Sequence, residues 1–62
     1  MPTVHIEIVE GRTVEQKRGL LKDVTEALVK NIQCNPAGVR IVITDLKREN
    51  TGDGGVLLSD KK

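Results

Sequence analysis

The sequence predicts an α/β fold made of a single βαβ unit with a short C-terminal hairpin or turn. Two segments with alternating apolar residues, residues 3–9 and 39–44, flank a stretch whose apolar residues recur at helical spacing. A glycine-rich turn and a short apolar run follow the second segment. Because a chain of 62 residues is too short for a second core, we expect residues 1–62 to form one domain.

Each predicted strand has one apolar face. The residues of this face are Val4, Ile6 and Ile8 in the first strand and Val39, Ile41 and Ile43 in the second. The helical stretch between them is long enough to act as a crossover, so the strands should be parallel and the connection right-handed. We expect the helix to cover the apolar face. The opposite face and the strand edges then require other subunits, because two strands alone are marginally stable.

The helix is predicted from a capping signal and from spacing. Thr13 and Gln16 fit the capping box, in which each side chain binds the other residue's backbone N–H. The apolar positions that follow, mostly three, four or seven residues apart, are Leu20, Leu21, Val24, Ala27, Leu28 and Ile32. The helix should end between Asn31 and Asn35, ahead of Pro36. Gly19, unfavourable in a helix interior by about 1 kcal/mol, suggests close approach to a neighbouring backbone.

The C-terminal segment is predicted to turn back on itself. Residues 52–55 combine three glycines with Asp53, which is typical of a turn, and an apolar run over 56–58 follows them. We expect a turn or hairpin here, with the apolar run packed on another chain.

The composition argues against two classes of partner. Ten Lys and Arg residues against nine Asp and Glu residues give a net charge of +1, so we expect no binding to nucleic acid. The longest apolar run falls far short of the ~18–20 residues that span a bilayer, and no signal-peptide pattern opens the chain, so we expect no membrane partner.

The same composition predicts association with other chains. A chain this short usually depends on disulfides, a metal or oligomerisation, and this one contains no aromatic residue to enlarge its core. The single cysteine, Cys34, excludes an internal disulfide, and His5 with Cys34 supplies too few ligands for structural zinc. We therefore expect no metal, and an obligate oligomer or a subunit of a mixed one, in a reducing cytoplasm. His5 is interpreted as part of a polar strand face and Cys34 as an inert thiol.

Three residues are candidates for chemistry. Removal of Met1 would turn Pro2 into a secondary amine fixed at the start of a strand, and an apolar pocket with nearby cations would lower the pKa of that amine. Arg12 follows the first strand, and Arg40 interrupts the apolar second strand. Two guanidinium groups near such an amine would bind a small carboxylate or keto-acid substrate and stabilise enolate charge. Taken singly, each residue is more often found in an ordinary structural or solvent-exposed role.

These candidates lie in an arrangement that extends over nearly the whole chain. Its parts, in order, are Pro2, the strand 3–9, Glu10-Gly11-Arg12, Glu15-Gln16-Lys17, the helix, residues 39–44 and Gly54-Gly55. The arrangement resembles the 4-oxalocrotonate tautomerase family. The resemblance implies βαβ subunits that assemble as hexamers, trimers of dimers, from one kind of chain or from two.

The resemblance also implies residue roles. Pro2 would be the general base of a keto–enol tautomerisation, moving a proton between oxygen and carbon of a 2-hydroxy-dienoate such as 2-hydroxymuconate. Arg12 would bind the distal carboxylate, and Arg40 of a neighbouring subunit would hold and polarise the 2-oxo acid end. Val9 would line an apolar pocket wall. No cofactor is implied.

Three departures from the family pattern leave alternatives open. Thr51 stands where well-studied members carry a Phe that shields the amine, so we expect a wetter pocket and a higher pKa for the proline, with the activity redirected or lost. Asp53 stands where related hydratases and dehalogenases place a water-activating Glu, although Val9 replaces an Arg of such dehalogenases. If Met1 is retained, Pro2 is an amide, and the chain would be a non-catalytic subunit of a mixed hexamer.

Overall fold

The two longer strands pair in parallel through a helical crossover. In the computed structural model, which describes residues 2–61, the elements are β1 (Thr3–Val9), α1 (Val14–Ile32), β2 (Arg40–Leu46), β3 (Gly52–Asp53) and β4 (Val56–Leu57). Short 3-10 turns occupy Pro36–Gly38, Arg48–Asn50 and Leu58–Asp60. The register of β1 and β2 runs from Thr3 opposite Arg40 to Val9 opposite Leu46. The predicted βαβ unit with a C-terminal hairpin is confirmed.

The capping box at the start of α1 is formed as predicted. The Gln16 backbone N–H donates to Thr13 Oγ1 at 3.1 Å, and the Thr13 N–H donates to Gln16 Oε1 at 2.8 Å. The helix ends at Ile32, inside the predicted window, with Gln33 in the left-handed region at φ 55°. The Gln33 N–H donates to the Val29 carbonyl at 3.0 Å, which closes the last turn.

The helix covers one face of the sheet, as predicted, although β2 is placed differently. Strand β2 starts one residue later than predicted and ends two residues later, so it includes Asp45 and Leu46. Asp45 lies in register with Ile8, on the face that the helix covers, and its Oδ2 accepts from Lys17 Nζ at 2.8 Å. The pairing with β1 continues through both added residues, and the ion pair gives the Asp45 carboxylate a cationic partner on the helix side of the sheet.

Residues 47–61 form a C-terminal arm. Its hairpin pairs Gly52 with Leu57 and Asp53 with Val56 across a two-residue turn in which both glycines have positive φ, 60° and 85°. Tight two-residue hairpin turns require positive φ at both positions, which glycine adopts without strain. This accounts for Gly54 and Gly55 at the turn. The Arg48 N–H donates to Glu10 Oε2 at 3.4 Å, which connects the arm to the loop after β1.

No residue among 2–61 is buried within the single chain. The radius of gyration is 14.8 Å, against about 11 Å for a compact chain of this length. The large apolar side chains left exposed are Val14, Leu21, Ile32, Val42, Val56 and Leu57. This shape supports the prediction that the chain packs on other subunits. No helix within residues 2–61 has the length and apolarity that crossing a membrane requires.

The expectation for Gly19 is wrong within one chain. A Cβ built at this position meets no atom within 4 Å, so no neighbouring backbone approaches it. Gly19 lies on the exposed side of α1, away from the sheet.

Candidate functional site

Pro2 and Arg40 meet at the corner of the sheet where both strands begin. The Arg40 N–H donates to the Pro2 carbonyl at 3.0 Å, and Arg40 is in register with Thr3. Pro2 is half-buried and Arg40 is exposed on the sheet face opposite the helix. The hydrogen bond fixes the backbone of Pro2, so the ring nitrogen has a defined position. The backbone of Arg40 lies next to Pro2, so the Arg40 side chain starts close to the proline ring.

Arg12 lies at the opposite end of β1. Its Nη1 donates to the Val9 carbonyl at 3.4 Å, after a turn in which Gly11 takes a φ of 117°. Pro2 and Val9 are seven residues apart along an extended strand, which separates them by about 23 Å at ~3.3 Å per residue. Arg12 therefore cannot contact a ligand held at Pro2 of its own chain. A site that contains both residues must take them from two copies.

The other predicted site residues are distributed over the far end of the sheet and the arm. Val9, the last residue of β1, is half-buried, and it lies beside Arg12 because its carbonyl accepts from the Arg12 guanidinium. Thr51 is half-buried between the Arg48–Asn50 turn and β3, and its carbonyl accepts from the Leu58 N–H at 2.8 Å. The single chain thus brings Pro2 together with Arg40, and Val9 together with Arg12, in separate places.

Asp53 lies in the hairpin and is engaged in an ion pair. Its Oδ2 accepts from Lys61 Nζ at 3.4 Å, while the Asp53 side chain remains 77% exposed. A carboxylate held this way stabilises the arm at its surface. This ion pair favours the interpretation of Asp53 as a turn residue. No contact of Asp53 within residues 2–61 favours its interpretation as a water-activating base.

Arg48 is a further residue that positions the arm, and no motif in the sequence indicates it. Besides its backbone bond to Glu10, its Nη2 donates to the Leu58 carbonyl at 3.3 Å, across the arm. Arg48 therefore sets the position of the hairpin relative to the end of β1. The signal in the sequence is an arginine in the polar stretch between the second strand and the glycine turn.

Residues 2–61 of one chain contain neither an enclosed pocket nor a cluster of three potential metal ligands. His5 is exposed on the outer sheet face, and Cys34 is a half-buried free thiol after the helix. A ligand that contacted both arginines would therefore lie between two chains. Guanidinium groups would bind carboxylate oxygens there. The state of Met1, on which the chemistry of Pro2 depends, lies outside the described residues.

Comparisons with known proteins agree with this geometry. Residues 2–61 match the model of the family described as tautomerase enzyme. A probable tautomerase from Halalkalibacterium halodurans is 39% identical over 98% of this chain and 100% of its own length. A 2-hydroxymuconate tautomerase from Pseudomonas putida is 39% identical over 95% of this chain and 94% of its own length. A heterohexamer 4-oxalocrotonate tautomerase from Chloroflexus aurantiacus superposes with a TM-score of 0.91 at 26% identity, covering 100% of both chains.

Proposed function

Because the chain belongs to the tautomerase family, we propose that it is an isomerase whose Pro2 amine, freed from Met1, is the general base of a keto–enol proton transfer. The substrate class is a 2-hydroxy-dienoate or a related enol of an α-keto acid. The amine takes the proton of the enol hydroxyl and returns a proton to carbon, so the product is an isomer of the substrate. The 2-hydroxymuconate tautomerase among its relatives supports this substrate class.

The observation that carries the proposal is the fixed position of Pro2. Its carbonyl accepts the Arg40 N–H at 3.0 Å, which holds the ring at the first position of the sheet. A general base has to lie within hydrogen-bond reach of the proton that it takes, so a rigid amine at a strand end suits this role. The Arg40 guanidinium, which starts from the adjacent backbone position, supplies a cation where enolate charge develops.

The two arginines have separate roles in this proposal. Arg12 of another copy binds the distal carboxylate, because Arg12 and Pro2 of one chain are too far apart. Arg40 holds and polarises the 2-oxo acid end of the substrate. This arginine comes either from the chain that supplies Pro2 or from a neighbouring subunit. Val9, beside Arg12, forms an apolar part of the wall. No cofactor takes part in this proton transfer.

We propose that the working form is a hexamer, a trimer of dimers, in which these copies meet. The absence of any buried residue among 2–61 of the single chain supports assembly. The exposed apolar residues on α1 and on the arm, such as Val14 and Leu57, support it further. The related heterohexamer supports the number of subunits.

The test is a tautomerase assay on protein whose intact mass shows that Met1 is absent. With 2-hydroxymuconate or phenylenolpyruvate as substrate, Pro2→Ala should lower kcat/KM by about 10²–10⁴-fold, the range expected for loss of a general base. Equal rates for the two proteins would overturn the proposal.

Arginine variants separate the two binding roles. Arg12→Ala should mainly raise KM for a dicarboxylate, whereas Arg40→Ala should mainly lower kcat. Arg18→Ala is the matched control, because Arg18 lies exposed on α1 in an ion pair with Glu15 and outside the site. If Arg18→Ala lowered activity as much as the other two, general loss of charge would explain the effect better than specific binding.

A second candidate function is that of a non-catalytic subunit in a mixed hexamer. The absence of any aromatic residue, including at Thr51, and the related heterohexamer favour it. Native mass spectrometry distinguishes the two. A Met-free homohexamer argues for the enzyme, and a stable assembly that forms only with a second chain argues for the structural subunit.

The remaining alternative is hydration or dehalogenation of an unsaturated acid, with Asp53 activating water. The ion pair of Asp53 with Lys61 gives this role less support than the tautomerase role. An assay with Asp53→Asn tests it, since an unchanged rate of such a reaction would exclude Asp53 as the base.

A further inference from the structure

One peptide bond of the C-terminal arm joins an aspartate to a glycine, Asp53 to Gly54. The other aspartates, Asp23, Asp45 and Asp60, are followed by larger residues, and no asparagine of the chain precedes a glycine. Because glycine has no Cβ, other groups can come closer to its backbone than to that of any other residue. Asp53 is therefore the position at which a side-chain carboxyl group most easily reaches the main-chain nitrogen that follows it.

Both reacting groups of this pair are accessible. The Asp53 side chain is 77% exposed. Asp53 pairs with Val56 at the end of the hairpin, and no backbone hydrogen bond within residues 2–61 uses the Gly54 N–H. A Cβ built at Gly54 meets no atom within 4 Å, so no neighbouring side chain covers this side of the turn. Only the conformation of the intervening bonds keeps the Asp53 carboxyl carbon from the Gly54 nitrogen.

We propose that Asp53–Gly54 is a modification site at which the aspartyl residue becomes isoaspartyl through a succinimide. The Gly54 nitrogen attacks the carbon of the protonated Asp53 carboxyl group, a C–N bond forms, and the carboxyl OH leaves with the amide proton as water. Water then opens the five-membered ring. Addition at the main-chain carbonyl breaks the original peptide C–N bond and leaves the chain linked through the side chain, whereas addition at the side-chain carbonyl restores aspartate.

Two features of the closed hairpin restrain this reaction. Asp53 Oδ2 accepts from Lys61 Nζ at 3.4 Å, so the carboxyl group has to leave this ion pair before it can turn toward Gly54. Asp53 is also a strand residue, and in antiparallel strands ψ is about +135°, which turns the next nitrogen away from the side chain. Ring closure therefore requires the hairpin to open first.

The arm is built to open in this way. Its strands β3 and β4 have two residues each, and an isolated two-stranded hairpin is marginally stable. Val56 and Leu57 are 45% and 41% exposed, so little apolar packing within the chain holds the hairpin closed. Segments with few buried contacts open locally more often than the rest of a protein. The rate of isoaspartate formation thus depends on how often the arm opens.

Isoaspartate would prevent the hairpin from closing again. The new linkage adds one methylene to the main chain after residue 53 and moves the free carboxylate onto the Cα atom of that residue. A tight turn fixes the register of its two strands, so an added backbone atom breaks the pairs Gly52 with Leu57 and Asp53 with Val56 together. An effect on the candidate site, through Thr51 of the arm, rests on the proposed function. The modification itself does not.

The test is prolonged incubation of the assembled native protein at neutral pH, followed by digestion and mass spectrometry. Trypsin cuts after Arg48 and Lys61, so Asp53 and Asp60 lie in one peptide, and Asp60 is the internal control. A purified methyltransferase specific for isoaspartyl carboxylates, supplied with labelled S-adenosylmethionine, marks the product, and fragmentation locates it. We expect the label to accumulate at residue 53 and not at residue 60. No label at residue 53, or equal label at both residues, would overturn the proposal.

Three variants test the chemistry and the role of arm opening. Asp53→Glu keeps the carboxylate but would need a six-membered ring, so the label should disappear. Gly52→Ala, whose Cβ would overlap the Val56 carbonyl oxygen, should speed isoaspartate formation about tenfold by opening the arm. Lys61→Gln should speed it only about twofold, because an exposed ion pair contributes little.

The outcomes for these variants are decisive in both directions. Label that persists in Asp53→Glu, or a Gly52→Ala protein labelled no faster than the native one, would contradict the proposed route. None of these readouts measures catalysis. An inactive protein that gains isoaspartate at residue 53 therefore leaves this site standing, and an active protein that never gains it overturns this site alone.

Discussion

The body of the molecule, residues 2–46, and its C-terminal arm, residues 47–61, are stabilised in different ways. The body has a capped helix on one face of a parallel strand pair, with the Lys17–Asp45 ion pair between them. The arm has a two-residue hairpin and a few hydrogen bonds, and both residues of β4 are more than 40% exposed. The body is therefore stabilised by several contacts within the chain, whereas the arm has few of them, and both regions expose apolar side chains that suit contacts with other chains.

The candidate site draws on both regions. Pro2, Arg12 and Arg40 belong to the body, and Thr51 and Asp53 belong to the arm. Arg48 connects the two through Glu10 and the Leu58 carbonyl. If the arm can be disrupted while the body stays folded, the two regions are stabilised independently.

The largest effect is expected from Gly52→Ala in the arm. A Cβ at this position would overlap the Val56 carbonyl oxygen, which belongs to the backbone and cannot move aside without breaking the β3–β4 pair. We expect tryptic cleavage after Arg48 to become about tenfold faster, because the arm opens more often. The far-UV circular dichroism of the helix should not change.

Gly19→Ala is the matched control for that experiment. It adds the same methyl group in the body, where no atom lies within 4 Å. Unchanged cleavage after Arg48 in the Gly52→Ala protein, or equal acceleration in both proteins, would contradict the separation of arm and body.

The next effect is expected from Thr13→Ala at the start of α1. The substitution removes the oxygen that accepts the Gln16 N–H at 3.1 Å, so the free energy of unfolding should fall by about 1 kcal/mol. Urea titration measures this loss. The protein concentration is held fixed, because dissociation of an oligomer adds to the unfolding free energy. Thr13→Ser keeps the oxygen and should lose much less. Equal losses would show that the methyl group, not the cap, stabilises the helix.

The elements that sequence alone predicts are those fixed by local contacts. Alternation, the capping box and Pro36 depend on neighbours in sequence, so they predicted β1, α1 and the crossover. The added residues of β2 pair with the end of β1, and Asp45 contacts Lys17, 28 residues away in sequence, so no local pattern contains these contacts. The sequence also predicts the residue types of the candidate site. The distance between Pro2 and Arg12 follows only from the structure, in which the extended strand β1 lies between them.

A smaller effect, of opposite sign, is expected from Gly19→Ala. Alanine is favoured over glycine in a helix interior by about 1 kcal/mol, and the position is open, so the unfolding free energy should rise by up to that amount. Urea titration of the Cys34→Ser protein with and without the substitution measures it. A fall in stability would mean that an assembled partner approaches Gly19 closely, which would restore the original expectation at the level of the oligomer.

The smallest effect is expected from the ion pair that connects α1 to β2. Lys17 and Asp45 have side chains that are 29% and 45% exposed, so water screens their attraction and the coupling should be about 0.5 kcal/mol. The measurement is a double-mutant cycle with Lys17→Met, Asp45→Asn and both together, followed by urea titration. The Arg18–Glu15 pair, which is more exposed and lies within one helix turn, is the control and should couple less. If the Lys17–Asp45 coupling were zero, the two added residues of β2 would have to be stabilised by strand pairing alone, and the body would depend less on long-range contacts than the structure indicates.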